Sequence, residues 1–175
     1  MRNKINILKR RGQIIRDESF KSLSSKFLEK ARANLITMNL LLELNKNKRV
    51  KNMLRIPKDY DSTEWAVISG YYAMYSSALA LIAKIGFKSK THMGTLSILE
   101  EFYVKRSILD KEDLKLISNA SLKKEELEHI SEARHNREIA QYSVTKQTTK
   151  TIAEKIKEDA YSFVNKTEEI LKPIV

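Results

Sequence analysis

The sequence predicts an all-α, up-and-down helical bundle of about five helices. Three observations carry this. Gly occurs 4 times and Pro twice in 175 residues, too few to break an all-β chain into short strands. Apolar residues make up 42% of the chain, enough to build one core. Most of the chain repeats its apolar residues at the 3.6-residue period of a helix. The organisation read from this is a basic N-terminal arm over residues 1–18 and a helical bundle domain over 19–175.

Residues 1–18 are basic and weakly patterned, with a helical turn expected around Ile5–Leu8. The first long helix is expected near 20–46, where Leu23, Phe27, Ala31, Leu35, Met38 and Leu42 form one apolar stripe. A basic loop around 47–60 follows, and Pro57 denies it a backbone donor. The second helix is expected to start at Asp61, with Glu64 completing a capping-box variant. It runs to about Ile85, and Gly86 suits the position after the helix end.

This second helix has two apolar faces. Trp65, Ile68, Tyr72, Tyr75, Leu79 and Ile82 form a large one; Ala66, Gly70, Ala73, Ser77 and Ala80 form a small one. Small residues admit close approach of another helix, so this is the expected centre of the bundle or of a dimer interface. Trp65–Ala83 lacks charge over nearly a membrane-spanning length. Its serines and tyrosines favour a buried core helix instead.

A short loop over 87–92 precedes a third helix near 93–108, with Leu96, Leu99, Phe102 and Tyr103 facing inward. Asp110 is placed to cap a short helix at 111–119, and Ser121 to cap another at 122–141. The last helix is expected near 148–171, carrying Ile152, Ile156, Ala160, Phe163, Thr167 and Ile170, with Pro173 ending it.

The formal charge of +11 is uneven. Residues 1–58 hold 16 Lys and Arg against 4 acids; residues 59–175 hold 17 against 18. Two runs are purely basic. One comprises Arg2, Lys4, Lys9, Arg10, Arg11 and Arg16, and the other Lys46, Lys48, Arg49, Lys51, Arg55 and Lys58. Such blocks attract polyanions by releasing condensed counterions, so nucleic acid or another polyanion is the leading expected partner, ahead of an anionic membrane surface. A solvated face is the bland alternative. No apolar stretch resembling a secretion signal precedes Arg16, and the expected setting is cytoplasmic, without a membrane partner.

Cysteine is absent, which excludes thiol redox chemistry, zinc ribbons and cysteine nucleophiles. His92, His129 and His135 have no metal-ligand spacing, and neither metal nor cofactor is expected. His92 reads as an exposed or capping histidine. No P-loop or nucleophile-elbow motif occurs. One residue stands out. Ile130, Ala133, Arg137 and Ala140 share a helix face, so Arg137 projects from the side that should pack. A buried guanidinium needs an acid, a carbonyl or an anion. Arg134, one turn earlier, is placed to join it, and Tyr142 follows near the helix end.

Several segments together resemble the HEPN family (higher eukaryotes and prokaryotes nucleotide-binding). They are Gly70–Leu81, Lys90–Gly94, Phe102–Val104 with Ile108–Asp110, Arg137–Tyr142 and Ala160–Val164. The resemblance covers about residues 20–172. It implies an all-α bundle of four to five helices that commonly dimerises. Many members are metal-independent ribonucleases or toxins of toxin–antitoxin pairs, often beside a minimal nucleotidyltransferase. The family signature is Arg, four to six residues, then His. Arg137 takes the arginine place, but Tyr142 stands where His would be. Tyrosine titrates near 10 and is a poor base near neutrality.

Three readings follow from the resemblance. The first is a dimeric RNA- or nucleotide-binding protein with weak or no nuclease activity. In it Arg137 and Arg134 hold phosphate, Tyr142 orients it, and Arg10, Arg11, Lys46, Lys48, Arg49, Lys51 and Arg55 grip the backbone. The second is an active ribonuclease toxin using Arg137 and Tyr142, with Ser76 adding a hydroxyl. The third is a structural partner of a minimal nucleotidyltransferase.

Overall fold

A computed structural model describes the backbone of residues 2–136 and 142–172, and the side chains of residues 4–125 and 150–172. The elements are α1 (Arg2–Arg10), β1 (Ile14–Arg16), α2 (Leu23–Lys46), α3 (Lys48–Met53), α4 (Thr63–Lys84), β2 (Phe87–Ser89), α5 (His92–Phe102), α6 (Lys111–Asn136) and α7 (Tyr142–Leu171). The fold is the expected all-α bundle, built from α2, α4, α5, α6 and α7, with one small two-stranded sheet.

The small face of α4 explains the architecture. Ala66, Gly70, Ala73, Ser77 and Ala80 are all buried, and α2 and α7 make the most extensive packing on this helix. A Cβ on Gly70 would lie 2.6 Å from Ile156 Cγ2 and 2.9 Å from Met38 Sδ. The glycine therefore sets how closely both neighbours approach. Around it Leu35, Met38, Val67, Met74, Leu81, Phe163 and Val164 are shut off from solvent. Four-fifths of the apolar window of α4, 78%, is buried inside the bundle, as expected for a core helix.

Side-chain pairs give the helix directions. Asn45, near the end of α2, donates to Asp61 and Thr63 at the start of α4. Ser24, at the start of α2, donates to the Ala80 carbonyl. The two helices are thus antiparallel. Arg32 pairs with Glu168, and Asn39 donates to Tyr161, so α7 runs against α2 and with α4. Lys166 of α7 bridges Asp110 (3.1 Å) and Asp113 (2.6 Å) at the beginning of α6, so α6 runs against α7.

Several element boundaries differ from the sequence expectation, each for a local reason. Asp61 is not the N-cap of α4: Ser62 holds that position without a side-chain cap bond, and the Asp61 carboxylate, one residue earlier, accepts from the Thr63 N–H at 3.0 Å. The helix itself starts at Thr63, because the Ser62 hydroxyl is spent on the Leu41 carbonyl and Asn45. The two helices expected at 111–119 and 122–141 are one, α6, at least to Asn136. Ser121 does not break it: its hydroxyl bonds Glu125 one turn on, and serine tolerates a helix interior. At the α6 start the Asp113 carboxylate accepts from the Asp110 N–H at 2.7 Å, the return half of a capping box.

The basic loop contains α3, capped by Asn47, which accepts from the Val50 N–H. The segment over 87–92 contains β2. Gly86, at φ +75, makes the turn after α4 as its position suggested. The first eighteen residues hold more than one helical turn. Ile5 and Leu8 of α1 are buried, as is Ile14. β1 pairs antiparallel with β2, Ile14 opposite Ser89 and Arg16 opposite Phe87.

α5 closes against the last turn of α4. The Tyr103 hydroxyl, buried, donates to the Leu81 carbonyl at 2.7 Å, and burial pushes its pKa up to about 12. Tyr103→Phe leaves that carbonyl without its partner. It is expected to cost about 1–2 kcal/mol in urea unfolding, with the m-value unchanged.

Candidate nucleic-acid interface

The helix register gathers part of the predicted site at one end of the bundle. Ile156 of α7 lies against Gly70, which places residue 149 level with Thr63, the first residue of α4. Residues 142–148 therefore run about 10 Å beyond α4 at 1.5 Å per residue. α6 runs the opposite way, and its Lys124 lies over the rings of Tyr71 and Tyr72. Its end at Asn136 therefore also passes the start of α4. α2 ends at this same end of the bundle, and α3 packs on α2.

Arg137 itself lies outside the described residues. Arg134 sits in the last turn of α6 and Tyr142 opens α7; their side chains are outside the described set. Lys48, Arg49, Arg55 and Lys58 are exposed. Lys46 is exposed too and pairs with Glu43 at 3.3 Å, an interaction of little worth in water. Arg55 holds a left-handed backbone at φ 55, which turns the chain after α3.

Lys51 departs from the expectation. It is 7% exposed, and its ammonium donates to the Tyr60 carbonyl at 2.5 Å. It ties the loop shut and does not face solvent. Ser76, considered as a hydroxyl donor to chemistry, is 3% exposed in the core.

The other basic run is elsewhere. Arg10 and Arg11, both exposed, lie at the end of α1 and just after it, and α1 packs on α5 and β1. Lys9 and Arg16 lie over the Phe87 ring at 5.3 and 5.4 Å, and Lys88 over Phe20 at 5.7 Å. This surface flanks the later half of α4. It stands on the order of 20 Å along the helix axis from the α3 end. The structure therefore separates two basic surfaces that the sequence analysis joined in one grip.

His92 is the residue that sequence reasoning placed wrongly. It opens α5, but Thr91 is the cap, accepting from the Gly94 N–H at 3.0 Å. The imidazole stacks on Tyr75 with ring centres 5.4 Å apart and lies 6.4 Å from Tyr71. Both ring nitrogens are buried without a hydrogen-bond partner among the described residues. The only hint in the sequence was Tyr71 and Tyr75 one turn apart, with nothing to tie them to a histidine twenty residues on.

Burial lowers the His92 pKa below its ordinary 6.5, against a weaker upward pull from Glu125. The unfolded chain thus takes up a proton there before the folded one does. Stability is expected to fall as pH drops below about 6.5, the loss levelling off below the folded pKa. Glu168 is held low by Arg32 and titrates further down, so the first part of the acid limb belongs to histidine. A ring-proton NMR titration should place His92 below 6.5, and His92→Phe should flatten that part of the limb.

These features define a class: a helical bundle with exposed cationic surfaces, one of them at the bundle end that Asn136 of α6 and Tyr142 of α7 reach. The chain belongs to the HEPN domain family, whose model matches residues 24–171. It is also 31% identical to a UPF0332 protein of Archaeoglobus fulgidus over 127 residues, 71% of this chain and 90% of that protein. Membership places the function in the nucleotide- or RNA-related class. The match takes in α2 to α7; α1 and β1 precede it.

Proposed function

We propose that this chain is a dimeric HEPN-type RNA- or nucleotide-binding protein with weak or no nuclease activity. One observation carries the reading. Exposed Lys48, Arg49, Arg55 and Lys58 stand at the bundle end reached by Asn136 of α6 and Tyr142 of α7, the described residues on either side of Arg137 in the sequence. No acid lies between Glu43 and Asp59. Arg137 holds a phosphate there, with Arg134 behind it. Tyr142 orients the phosphate through its hydroxyl, as donor or acceptor.

Weak or absent cleavage follows from the Tyr142 substitution. Cleavage through a 2′-hydroxyl gains from a group that exchanges protons near neutrality, and an unperturbed phenol does not. The dimer reading is supported by the large face of α4, where Trp65 is 57% and Tyr72 41% exposed. A second copy covering that face would bring two such bundle ends into one assembly.

The deciding experiment pairs binding with cleavage. Purified protein is expected to bind single-stranded RNA and leave it intact. Arg137→Ala should weaken binding by roughly tenfold, the loss of one charge-assisted phosphate contact. Arg137-dependent cleavage would replace this reading with the ribonuclease one; binding unchanged by Arg137→Ala would remove Arg137 from the site.

A further inference from the structure

A cleft of about 600 Å³ opens between α1, α5 and α6, with His92 on its wall. That volume is of the size that takes a small organic ligand. Its lining has two characters. Met93, Leu96 and Leu114 make it apolar, while Lys4, Lys111 and Lys115 bring three ammonium groups from two different helices against the single carboxylate of Glu100. Lys115 is already paired with Glu112 at 2.6 Å. Lys4 and Lys111 are exposed and make no ion pair among the described residues.

We propose that this cleft binds an organic phosphate monoester, its phosphate on Lys4 and Lys111 and its apolar body on Met93, Leu96 and Leu114. Lysines are compact point charges and suit a tetrahedral phosphate; a planar carboxylate is better matched by the fork of an arginine, and no arginine lines the cleft. The cleft can also select the organic part. The Ser97 and Ser118 hydroxyls donate to the Met93 and Leu114 carbonyls, so their oxygens remain as acceptors for ligand hydroxyls. Glu100 offers a further acceptor. His92 contributes to the cleft wall while its ring stacks on Tyr75, so a ligand seated there lies next to that imidazole and changes its surroundings.

The site stands apart from the α6–α7 end, and it does not rest on the role of Arg137. Two sources share its chemistry, a free mononucleotide and the terminal phosphate of an RNA. The test is NMR of the histidine rings, with calorimetry, on the full chain. The probes are adenosine 5′-monophosphate, adenosine, inorganic phosphate, and one short RNA with either a 5′-phosphate or a 5′-hydroxyl. The monophosphate, the 5′-phosphorylated RNA or both are expected to shift the His92 signals, and adenosine and 5′-hydroxyl RNA are not. Which of the two acts identifies the source.

Lys111→Ala and Lys4→Ala should each weaken binding about tenfold. Lys105→Ala, whose lysine pairs with Glu101 away from the cleft, should leave it unchanged. These surface lysines make no core contact, so the variants remain folded. No His92 shift with either the millimolar monophosphate or the 5′-phosphorylated RNA overturns the proposal. So does equal affinity for adenosine, tighter binding of inorganic phosphate than of the monophosphate, or indifference to both lysine substitutions.

Discussion

Gly70→Leu is expected to destabilise the protein by about 3 kcal/mol, the upper range for forcing extra carbon into a packed core. At this chain length that corresponds to a fall in melting temperature of roughly 6–12 °C. The reason is geometric. The first added atom alone would sit 2.6 Å from Ile156 Cγ2 and 2.9 Å from Met38 Sδ. The methionine can swing aside. The branched isoleucine is stiff at χ1 and 4% exposed, so α7 must move away from α4. Gly70→Ala brings only the first of these atoms and gains about 1 kcal/mol of helix preference over glycine, so its net cost should be smaller than that of leucine, whose further carbons add to the same contact.

The mechanism is checked by a double-mutant cycle. Ile156→Ala alone opens a cavity and should cost about 2–5 kcal/mol. Combined with Gly70→Leu, the new side chain occupies part of that space. The double variant should therefore be more stable than the sum of the two singles by about 1 kcal/mol or more. Strict additivity would place the cost of Gly70→Leu elsewhere, in the helix or the unfolded state.

This close approach was legible in the sequence, and it shows what kind of signal survives without coordinates. The small stripe from Ala66 to Ala80 is periodic within a single helix, so local spacing declared both its helicity and its burial. The stripes of α2 and α7 were readable for the same reason: Ala31, Leu35 and Met38, and Ile156, Ala160 and Phe163, are all buried as their spacing implied. β1 and β2 were not readable. Each is three residues long, and Ile14 finds its partner Ser89 far along the chain. α3 is six residues beneath a charge pattern that resembles a loop, and it is fixed by one Asn47 cap.

The candidate site was legible unevenly. A run of charge states its own sign, but it does not say which ammonium the fold will enclose. Lys51 and Arg49 look alike in sequence, yet Lys51 falls under the turn that Pro57 and Tyr60 make. His92 was misread because its environment is assembled from α4 and α5. A stack of three rings drawn from two helices leaves no periodic trace in either.

The largest functional effect is expected at the α3 end. Replacing Lys48, Arg49, Arg55 and Lys58 together by glutamine should lower single-stranded RNA affinity at low salt by about a hundredfold. It should also reduce the slope of log affinity against log salt by about 3, since each phosphate neutralised contributes about 0.7. All four side chains are exposed, and none is buried in the core, so the fold should persist. Lys51 must be left intact, because its ammonium closes the loop.

The same measurement on Arg10→Gln with Arg11→Gln tests whether the two basic surfaces act together. They stand on the order of 20 Å apart along α4. An RNA too short to span that distance should respond to the α3 changes and not to the α1 changes. A longer RNA should respond to both, and its salt slope should fall by a further amount, about 1.4 for two contacts. Equal sensitivity of short RNA to both sets would mean that either surface binds alone. A salt slope untouched by the α3 substitutions would take the phosphate backbone away from that end of the bundle, and with it the reading that joins Arg137 to the basic loop.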